Sequence, residues 1–419
     1  MAKNSYIGLL DCNNFFVSCE RLFRPDLKGW PTIVLSSNDG VVVARSQEVK
    51  DLGVPMGVPV FKVKDILEKN KVAAFSGNHE LYRDISSRVM DTLREELDDV
   101  YQYSVDEAFF RLEGTEAGAR ALLSRLKALI ERKVGVPVSL GAARTMTIAK
   151  YASEKEKRGT GVCLLVGKEW QAETKTLPLS EIWGVGYQTA KKMRENGLHT
   201  VNDLLSADNS RIEKLFGVHG VRLRSELSEV PAHSPTEKDG LQKSLMSTRS
   251  FSKAVTSLAE IEEALSYHAN SVGEEIRDVG GVARSIRVIL GTSRHGDWLL
   301  RGVVREVTLS KGTSDTRVIL KAAIALAREA YDPEVPYKKA GIVLSDITSS
   351  SSLQLELFAT NDGKEDDGKL MKVLDQLNSK HKESLIAVGK MKHGEGHLVS
   401  RRFRSPRYTT RWSEIIKVK

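Results

Sequence analysis

Three acidic residues from two distant parts of the chain stand at the ends of apolar segments. Asp11 follows the run Tyr6–Leu10, and Asp106 and Glu107 lie between two further runs of apolar and aromatic residues. Runs of this kind are typical of buried strands. Two carboxylates about 4 Å apart repel by about 4 kcal/mol at the effective dielectric constant of a protein surface. A hard divalent cation such as Mg²⁺ would offset that repulsion, because it binds carboxylates together with substrate phosphates.

A simpler interpretation of Asp106 and Glu107 is that they occupy a turn at a strand end, where acidic residues are common. Taken alone, the pair fits a turn and a metal site equally well. The remaining motifs of the chain favour the metal site.

The first 170 residues alternate segments of strand character with amphipathic segments of helix character. Strands are predicted at Thr32–Leu35, Val41–Ala44 and Val136–Ala142, and helices at Leu81–Leu97 and Thr147–Lys157. This alternation is typical of an α/β or α+β domain. Both acidic segments belong to this part of the chain.

Residues 174–231 are predicted to form short helices around two glycine loops, Ile182–Gly186 and Phe216–Gly220. Each loop precedes a helix rich in Lys or Arg, as in a helix-hairpin-helix. Glycines allow backbone amides to approach a phosphate, and basic side chains add charge. Such loops also join helices for purely geometric reasons. The candidate DNA-binding residues are Gly184, Gly186, Lys191, Lys192, Gly217, Gly220 and Arg222.

A polar segment at 232–242, with both Pro and Gly, predicts a linker. Beyond it, a second and smaller α+β domain is expected at 243–348. Its predicted strands are Ala283–Leu290, Trp298–Val307 and Arg317–Leu320, and its predicted helices are Leu258–Ile276 and Lys321–Tyr331.

The tail at 349–419 carries two further features. A serine run leads into Gln354-Leu355-Glu356-Leu357-Phe358, and an acidic, Gly-containing stretch follows it. Alternating apolar residues also fit an edge strand, but these flanks favour a peptide that docks into a partner's groove. From Arg401 to Trp412, arginines alternate with aromatic residues. That pattern suits phosphate contact and base stacking, although a solvated basic tail has the same composition.

Composition limits the class of protein. The chain has 419 residues, 41% of them hydrophobic, so two to four domains are expected. No apolar run approaches 18 residues, which argues against a membrane protein. A cytoplasmic location is expected, and the resemblance described below implies association with the nucleoid. Three cysteines without metal spacing fit a reducing compartment. The net charge of +8 favours a polyanionic partner.

Together these motifs resemble the Y-family translesion DNA polymerases, and the UmuC group in particular. The resemblance rests on Asp11–Glu20, Ser104–Ala108, Ala149–Ala152, the paired glycine loops and Ser405–Trp412. It implies an α+β, multidomain, right-hand polymerase with a ferredoxin-like palm, small fingers, a helix-hairpin-helix thumb and an α/β little finger. The implied bounds are 1–11 and 78–173 for the palm, 12–77 for the fingers, 174–231 for the thumb and 243–348 for the little finger.

The resemblance also implies the chemistry, which is nucleotidyl transfer with two Mg²⁺ ions. Asp11 and Asp106 would bridge both ions, Glu107 would hold the ion on the primer side, and the carbonyl of Cys12 would add a ligand. These are the catalytic and metal-binding residues that we expect.

The nucleotide would be bound by Phe15, Phe16, Arg45, Lys50 and Lys157. Phe16 corresponds to the steric gate that excludes a ribose 2′-hydroxyl, whereas core packing is the favoured role for Phe15. Lys157 corresponds to the palm lysine of the family. Lys50 takes the place of a family arginine, where it is a point charge instead of a bidentate fork. Either the nucleotide affinity is lower for that reason or Arg45 compensates, and an ordinary surface charge is an equally good interpretation of Lys50.

The expected function is error-prone, template-directed DNA synthesis past lesions in the bacterial SOS response. The implied partners are primer-template DNA, deoxynucleoside triphosphates, a UmuD-type dimer, a RecA filament and a sliding clamp. The clamp would be bound through Gln354, Leu355, Leu357 and Phe358. Another two-metal palm enzyme, such as a nucleotidyl cyclase or nuclease, is the first alternative. A non-catalytic scaffold that binds DNA and the clamp is the second.

Overall fold

The computed structural model describes residues 4–36, 38–235, 240–292, 302–350, 368–381, 386–389 and 401–416. The chain divides into two compact units, one of residues 1–237 with 401–419 and one of residues 238–400. No helix within the described ranges is long and apolar enough to cross a membrane.

The first unit contains eight strands and ten α-helices among its described residues, together with short 3₁₀ turns. In chain order they are β1 (Asn4–Cys12), α1 (Phe15–Phe23), β2 (Thr32–Leu35), β3 (Val42–Arg45), α2 (Gln47–Asp51), α3 (Val60–Lys69), β4 (Ala73–Ser76), α4 (His79–Arg94), β5 (Val100–Gln102), β6 (Glu107–Gly114), α5 (Glu116–Lys133), β7 (Val138–Ala143), α6 (Met146–Lys155), β8 (Val162–Leu164), α7 (Gly167–Thr174), α8 (Tyr187–Glu195), α9 (Val201–Ser206) and α10 (Asn209–Leu227).

The central sheet of this unit has the order β5-β6-β1-β7-β8, with β1 antiparallel to both of its neighbours. Alternate residues of β1 pack into different cores, as the two-residue period of a strand requires. Tyr6 and Leu10 pack in a core with residues of α1, α4 and α5, whereas Ile7 and Leu9 pack in a core with residues of α6 and the helices that follow it. By the same alternation, Asp11 lies on the α6 side of the sheet.

A second sheet, with the order β3-β2-β4, holds the residues between α1 and α4. Its strand β2 is antiparallel to β3 and parallel to β4. A small apolar cluster of its own, including Ile33 and Val63, packs α2 and α3 against this sheet.

Helices α8 to α10 form the segment in which two glycine loops were predicted. Gly184 has a φ of +87° in the loop before α8, and Gly217 has a φ of +62° at a kink within α10. Both values lie in the left-handed region that favours glycine.

The second unit contains β9 (Ser244–Val255), α11 (Leu258–Asp278), β10 (Gly281–Gly291), β11 (Gly302–Thr313), α12 (Thr316–Ala330), β12 (Tyr337–Ser349) and α13 (Lys369–His381). Its antiparallel sheet has the order β11-β10-β12-β9, and α11 and α12 share an apolar core with it. Helix α13 joins α11 through Arg277, which forms a two-bond ion pair with Asp375 at 2.6 and 2.7 Å.

One predicted element of this unit is wrong. The segment Arg317–Leu320 is not a strand, because it forms the first turns of α12. Asp315 caps that helix by accepting a hydrogen bond from the amide of Arg317 at 2.7 Å. The buried residues Ile319, Leu320 and Ala323 recur at helical spacing. The predicted strand at Trp298–Val307 begins only at Gly302 in the described chain, and residues 298–301 lie outside it.

Candidate active site

The pairing of β1 with β6 brings the three acidic residues together. Asp11 stands opposite Glu107 in the antiparallel register, and the amide of Cys12 donates to the carbonyl of Asp106 at 2.9 Å. Directly opposed residues in such a pair have Cα atoms about 4.5–5.5 Å apart. The structure therefore unites residues that are almost one hundred positions apart in the sequence.

A tight turn between β5 and β6 orients Asp106. The amides of Tyr103 and Ser104 both donate to the carbonyl of Glu107, at 3.0 and 3.1 Å. The hydroxyl of Ser104 then donates to one carboxylate oxygen of Asp106 at 2.6 Å. Because a carboxylate has two oxygens, the other oxygen of Asp106 stays available to a ligand.

Two lysines from α6 and the turn after it approach the acidic residues. Lys150 donates to both oxygens of Glu107, at 2.8 and 2.9 Å, and its ammonium lies 5.2 Å from the ring centres of Tyr103 and Trp183. Lys157 donates to Asp11 at 3.1 Å. Each lysine supplies positive charge at a carboxylate.

The lysines do not fully offset the cost of the acidic cluster. Burial raises the pKa of Asp11 to about 7, with Lys157 opposing the shift and the charges of Glu107 and Asp106 adding to it. Burial alone would lower the pKa of Lys157, but Asp11 and Glu154 raise it. The anionic form of Asp11 is therefore short of nearby positive charge.

Mg²⁺ is the cofactor that the acidic cluster suggests. Among the residues that the structure describes, no group of three or more acidic, histidine or cysteine side chains already has an arrangement that could hold a metal ion. The carboxylates of Asp11 and Glu107 face lysines, and that of Asp106 faces Ser104. Even so, the pairing of β1 with β6 brings the three acidic residues to the same end of the two strands, and carboxylate oxygens are the donors that Mg²⁺ prefers. The raised pKa of Asp11 also indicates a demand for positive charge, so the residues fit divalent cations that would replace the lysine contacts.

The two phenylalanines at the start of α1 lie in different environments. Phe15 is 3% exposed and belongs to the core, which agrees with the packing role favoured for it. Phe16 is only partly buried, and its ring stacks on Tyr82 of α4 with centroids 4.5 Å apart. Phe16 is thus the ring of the pair that can meet a ligand.

Three cations from separate elements lie near Lys50, and one of them, Lys157, contacts Asp11. Burial lowers the pKa of Lys50 in α2, and the charges of Lys157, Arg45 and Arg158 lower it further. Each of these three cations is thus close enough to Lys50 for its charge to act on the Lys50 ammonium. Arg45 is partly engaged, since its guanidinium donates to a backbone carbonyl in the loop after α2. These cations come from the end of β3, from α2 and from the turn after α6.

The predicted DNA-binding residues of α8 and α10 differ in exposure. Gly184 and Gly186 are exposed in the loop before α8, and Gly217 is exposed at the kink within α10. The side chains of Lys191 and Lys192 on α8 and of Arg222 on α10 are exposed as well. Gly220 is instead buried within α10, where an added Cβ would lie 2.5 Å from the Cβ of Phe216. Its small size serves helix packing, so it is not placed to approach a phosphate.

The predicted clamp-binding residues Gln354, Leu355, Leu357 and Phe358 lie outside the described residues. Three contacts were not predicted, namely those of Ser104 and Lys150 with the acidic residues and that of Tyr82 with Phe16. Of these three residues, only Lys150 could have been predicted from the sequence. It lies seven residues, about two helical turns, before Lys157 in the predicted helix Thr147–Lys157, so both lysines lie on one helix face.

Models of known families match most of the chain. The impB/mucB/samB family model matches residues 10–154, and the model of that family's C-terminal domain matches residues 242–357. A domain of unknown function matches residues 368–418. Protein UmuC of Salmonella typhimurium is 36% identical over 421 aligned residues, covering 98% of this chain and 100% of that protein.

The chain belongs to the impB/mucB/samB family. Protein MucB of Escherichia coli is 34% identical over 97% of this chain and 98% of its own length. DNA polymerase IV 1 of Bacillus subtilis is 27% identical over 92% of this chain and 93% of its own length.

Solved structures show the fold of this family member. A Y-family DNA polymerase chimera of Dbh and Dpo4 superimposes with a TM-score of 0.70 at 23% identity, over 82% of this chain and 99% of that one. An insertion ternary complex of Dbh DNA polymerase gives a TM-score of 0.54 at 21% identity, over 82% of this chain and 99% of that one. Family and fold together confirm the prediction of a Y-family DNA polymerase of the UmuC group, an enzyme of error-prone translesion synthesis.

Proposed function

We propose that this family member extends a primer by two-metal nucleotidyl transfer at Asp11, Asp106 and Glu107. The observation that carries the proposal is the strand register, which sets Asp11 opposite Glu107 with Asp106 adjacent. The raised pKa of Asp11 supports it, because a carboxylate that is costly to ionise in the free protein is stabilised by a bound cation.

The three carboxylates and the carbonyl of Cys12 would hold the two Mg²⁺ ions. When bound, such a pair supplies activation of the primer 3′-hydroxyl and charge neutralisation on the leaving pyrophosphate. Ser104 orients Asp106, and Lys150 keeps Glu107 beside Tyr103 and Trp183. These contacts hold the acceptor oxygens near one position before substrate arrives.

Binding of the triphosphate falls to the cationic cluster of Lys50, Arg45 and Lys157. A concentration of positive charge suits a polyphosphate, and the pKa of Lys50 is already lowered, by burial first and then by the charges of Lys157, Arg45 and Arg158. An incoming triphosphate would relieve that repulsion. Phe16, partly exposed at the start of α1, would contact the sugar and exclude a 2′-hydroxyl.

DNA and accessory proteins complete the proposal. The exposed glycine loops before α8 and within α10 would contact the DNA backbone through Gly184, Gly186 and Gly217, with Lys191, Lys192 and Arg222 adding charge. The segment Gln354–Phe358 would dock on the sliding clamp. A UmuD-type dimer and a RecA filament are the further partners that we propose, at the bacterial nucleoid.

Primer extension tests the assignment of the site. The wild-type protein, Mg²⁺ and four deoxynucleotides should lengthen a primer on a template, and Asp106→Ala should abolish the extension because a bridging ligand is lost. Asp99→Ala, which removes an exposed carboxylate paired with Arg111, is the matched control and should keep wild-type activity. A nuclease would shorten the primer, and a scaffold would bind it without changing its length. Undiminished extension by Asp106→Ala would refute the assignment.

A separate experiment tests the clamp. The double variant Leu357→Ala and Phe358→Ala should keep its basal extension and lose stimulation by a sliding clamp, because both apolar anchors are removed. Thr360→Ala, in the same segment, is the matched control. Equal stimulation of the double variant would contradict the docking proposal.

A further inference from the structure

The C-terminal segment, residues 401–416, packs on the first unit. Its residue Phe403 pairs with the end of β4, where the amide of Ser76 donates to the Phe403 carbonyl at 3.0 Å. In return, the Phe403 amide donates to the hydroxyl of Ser76 at 2.9 Å. The backbone amide of Arg402 donates a hydrogen bond to the carboxylate of Asp39 at 2.8 Å. The segment is therefore joined to the β3-β2-β4 region at several points.

The same segment reaches a buried acid in α1. Ser405 is 6% exposed, and its hydroxyl donates to Glu20 at 3.0 Å. The hydroxyl of Tyr82 donates to the same Glu20 oxygen at 2.7 Å. Glu20 is fully buried, and its second oxygen has no hydrogen-bond partner among the described residues. The two hydroxyls are thus the hydrogen-bond donors that the described residues offer to Glu20.

Tyr82 connects this network to the proposed sugar site. Its ring stacks on Phe16 at 4.5 Å with an interplanar angle of 16°, so the position of Phe16 depends on Tyr82. Phe16, Glu20 and Phe23 are spaced four and three residues apart, which places them on one face of α1. At the far end of that face, Phe23 stacks on Tyr408 of the C-terminal segment at 4.4 Å.

The segment also fixes the start of α4, the helix that carries Tyr82. Asn78 is the N-cap of α4, and its side-chain amide donates to the hydroxyl of Ser405 at 3.0 Å and to the carbonyl of Pro406 at 3.2 Å. Glu80, in the first turn, faces Arg407 at 3.4 Å. Both helices that hold the Phe16 ring are therefore braced by residues more than three hundred positions away.

We propose that the C-terminal segment positions the Phe16 ring, with Ser405 as the positioning residue that connects it to Glu20 and Tyr82. This inference rests on the proposed role of Phe16 in excluding a ribose. It gives a role in sugar discrimination to part of a region whose family model has no assigned function. Ser405 itself does not touch the substrate, since it acts through Glu20 and Tyr82.

The test compares single-nucleotide insertion of a ribonucleotide and the matching deoxynucleotide by the full-length protein. A shift of about 1 Å in a group that positions a substrate changes rates by up to about a hundredfold. For Ser405→Ala we expect the ratio of kcat/KM for the ribonucleotide to kcat/KM for the deoxynucleotide to rise by about tenfold. The rise should come mainly from a higher kcat/KM for the ribonucleotide, with kcat/KM for the deoxynucleotide little changed. Because both substrates are measured with one preparation, partial unfolding cancels from the ratio.

Thr410→Val is the matched control. Thr410 belongs to the same segment, and its hydroxyl is buried without a hydrogen-bond partner among the described residues. Removing that hydroxyl should therefore leave the ratio at the wild-type value. Phe16→Ala should raise the ratio at least as much as Ser405→Ala.

Two results would overturn the inference in distinguishable ways. If Phe16→Ala raises the ratio and Ser405→Ala leaves it unchanged, the C-terminal segment does not position the ring. If Phe16→Ala itself leaves the ratio unchanged while extension persists, the proposed role of Phe16 is wrong, and the inference fails with it.

Discussion

Replacing Ser104 with alanine probes how the acidic cluster is organised. The Ser104 hydroxyl donates to one oxygen of Asp106 at 2.6 Å, within the short range typical of bonds to an ionised acceptor. A hydrogen bond to a charged group contributes about 1.5–3 kcal/mol. At 1.36 kcal/mol for each factor of ten, that energy corresponds to about 10- to 150-fold in rate or metal affinity. We therefore expect Ser104→Ala to lower kcat/KM by about 10- to 100-fold, the usual cost of losing a partner of a metal ligand.

The assay is single-nucleotide insertion over a series of Mg²⁺ concentrations. Because Ser104→Ala keeps all three carboxylates, part of its activity should return as Mg²⁺ is raised, whereas Asp106→Ala should stay inactive. Ser87→Ala is the matched control, since Ser87 donates to Asp91 at 3.2 Å on an exposed face of α4. Activity of Ser104→Ala within about twofold of wild type at every Mg²⁺ concentration would show that the hydrogen bond does not organise the site.

Three further predictions concern stability. Burial lowers the pKa of His268 to about 4, so between pH 6.5 and 4 the unfolded chain binds a proton that the folded chain does not. Stability should fall as the pH drops through that window, by up to about 3 kcal/mol, and urea unfolding of His268→Gln should show a flatter pH profile. Gly141→Ala would place a Cβ 2.2 Å from a backbone nitrogen of α6, so it should lower the free energy of unfolding by about 3 kcal/mol, as measured by thermal unfolding. Gly40→Ala is the control, because its added Cβ would lie 3.9 Å from the nearest atom and should change that free energy little. For the ion pair of Arg277 with Asp375, a double-mutant cycle to alanine should give a coupling of about 1–3 kcal/mol, and additive effects would contradict it.

Local pattern alone was enough to locate several elements of the site. The strand Thr32–Leu35 has the predicted bounds, and the helices predicted at Leu81–Leu97 and Thr147–Lys157 begin and end within three residues of the observed ones. Apolar periodicity specifies these elements because it records which face of a strand or helix is buried. Arg317–Leu320 was misassigned because four residues contain too little of a period to separate a strand from the first turns of a helix.

The sequence by itself determined which residue types stand at strand ends and on helix faces, and so it determined the acidic cluster as a candidate. Only the tertiary structure decided the register that sets Asp11 opposite Glu107, the lysines that face them, and the hydrogen bond between Ser405 and Glu20 across 385 positions. Periodicity is a property of neighbouring residues, whereas a strand register or a buried polar contact depends on how separate elements pack. That packing reflects all the elements at once, and no single segment of the sequence records it.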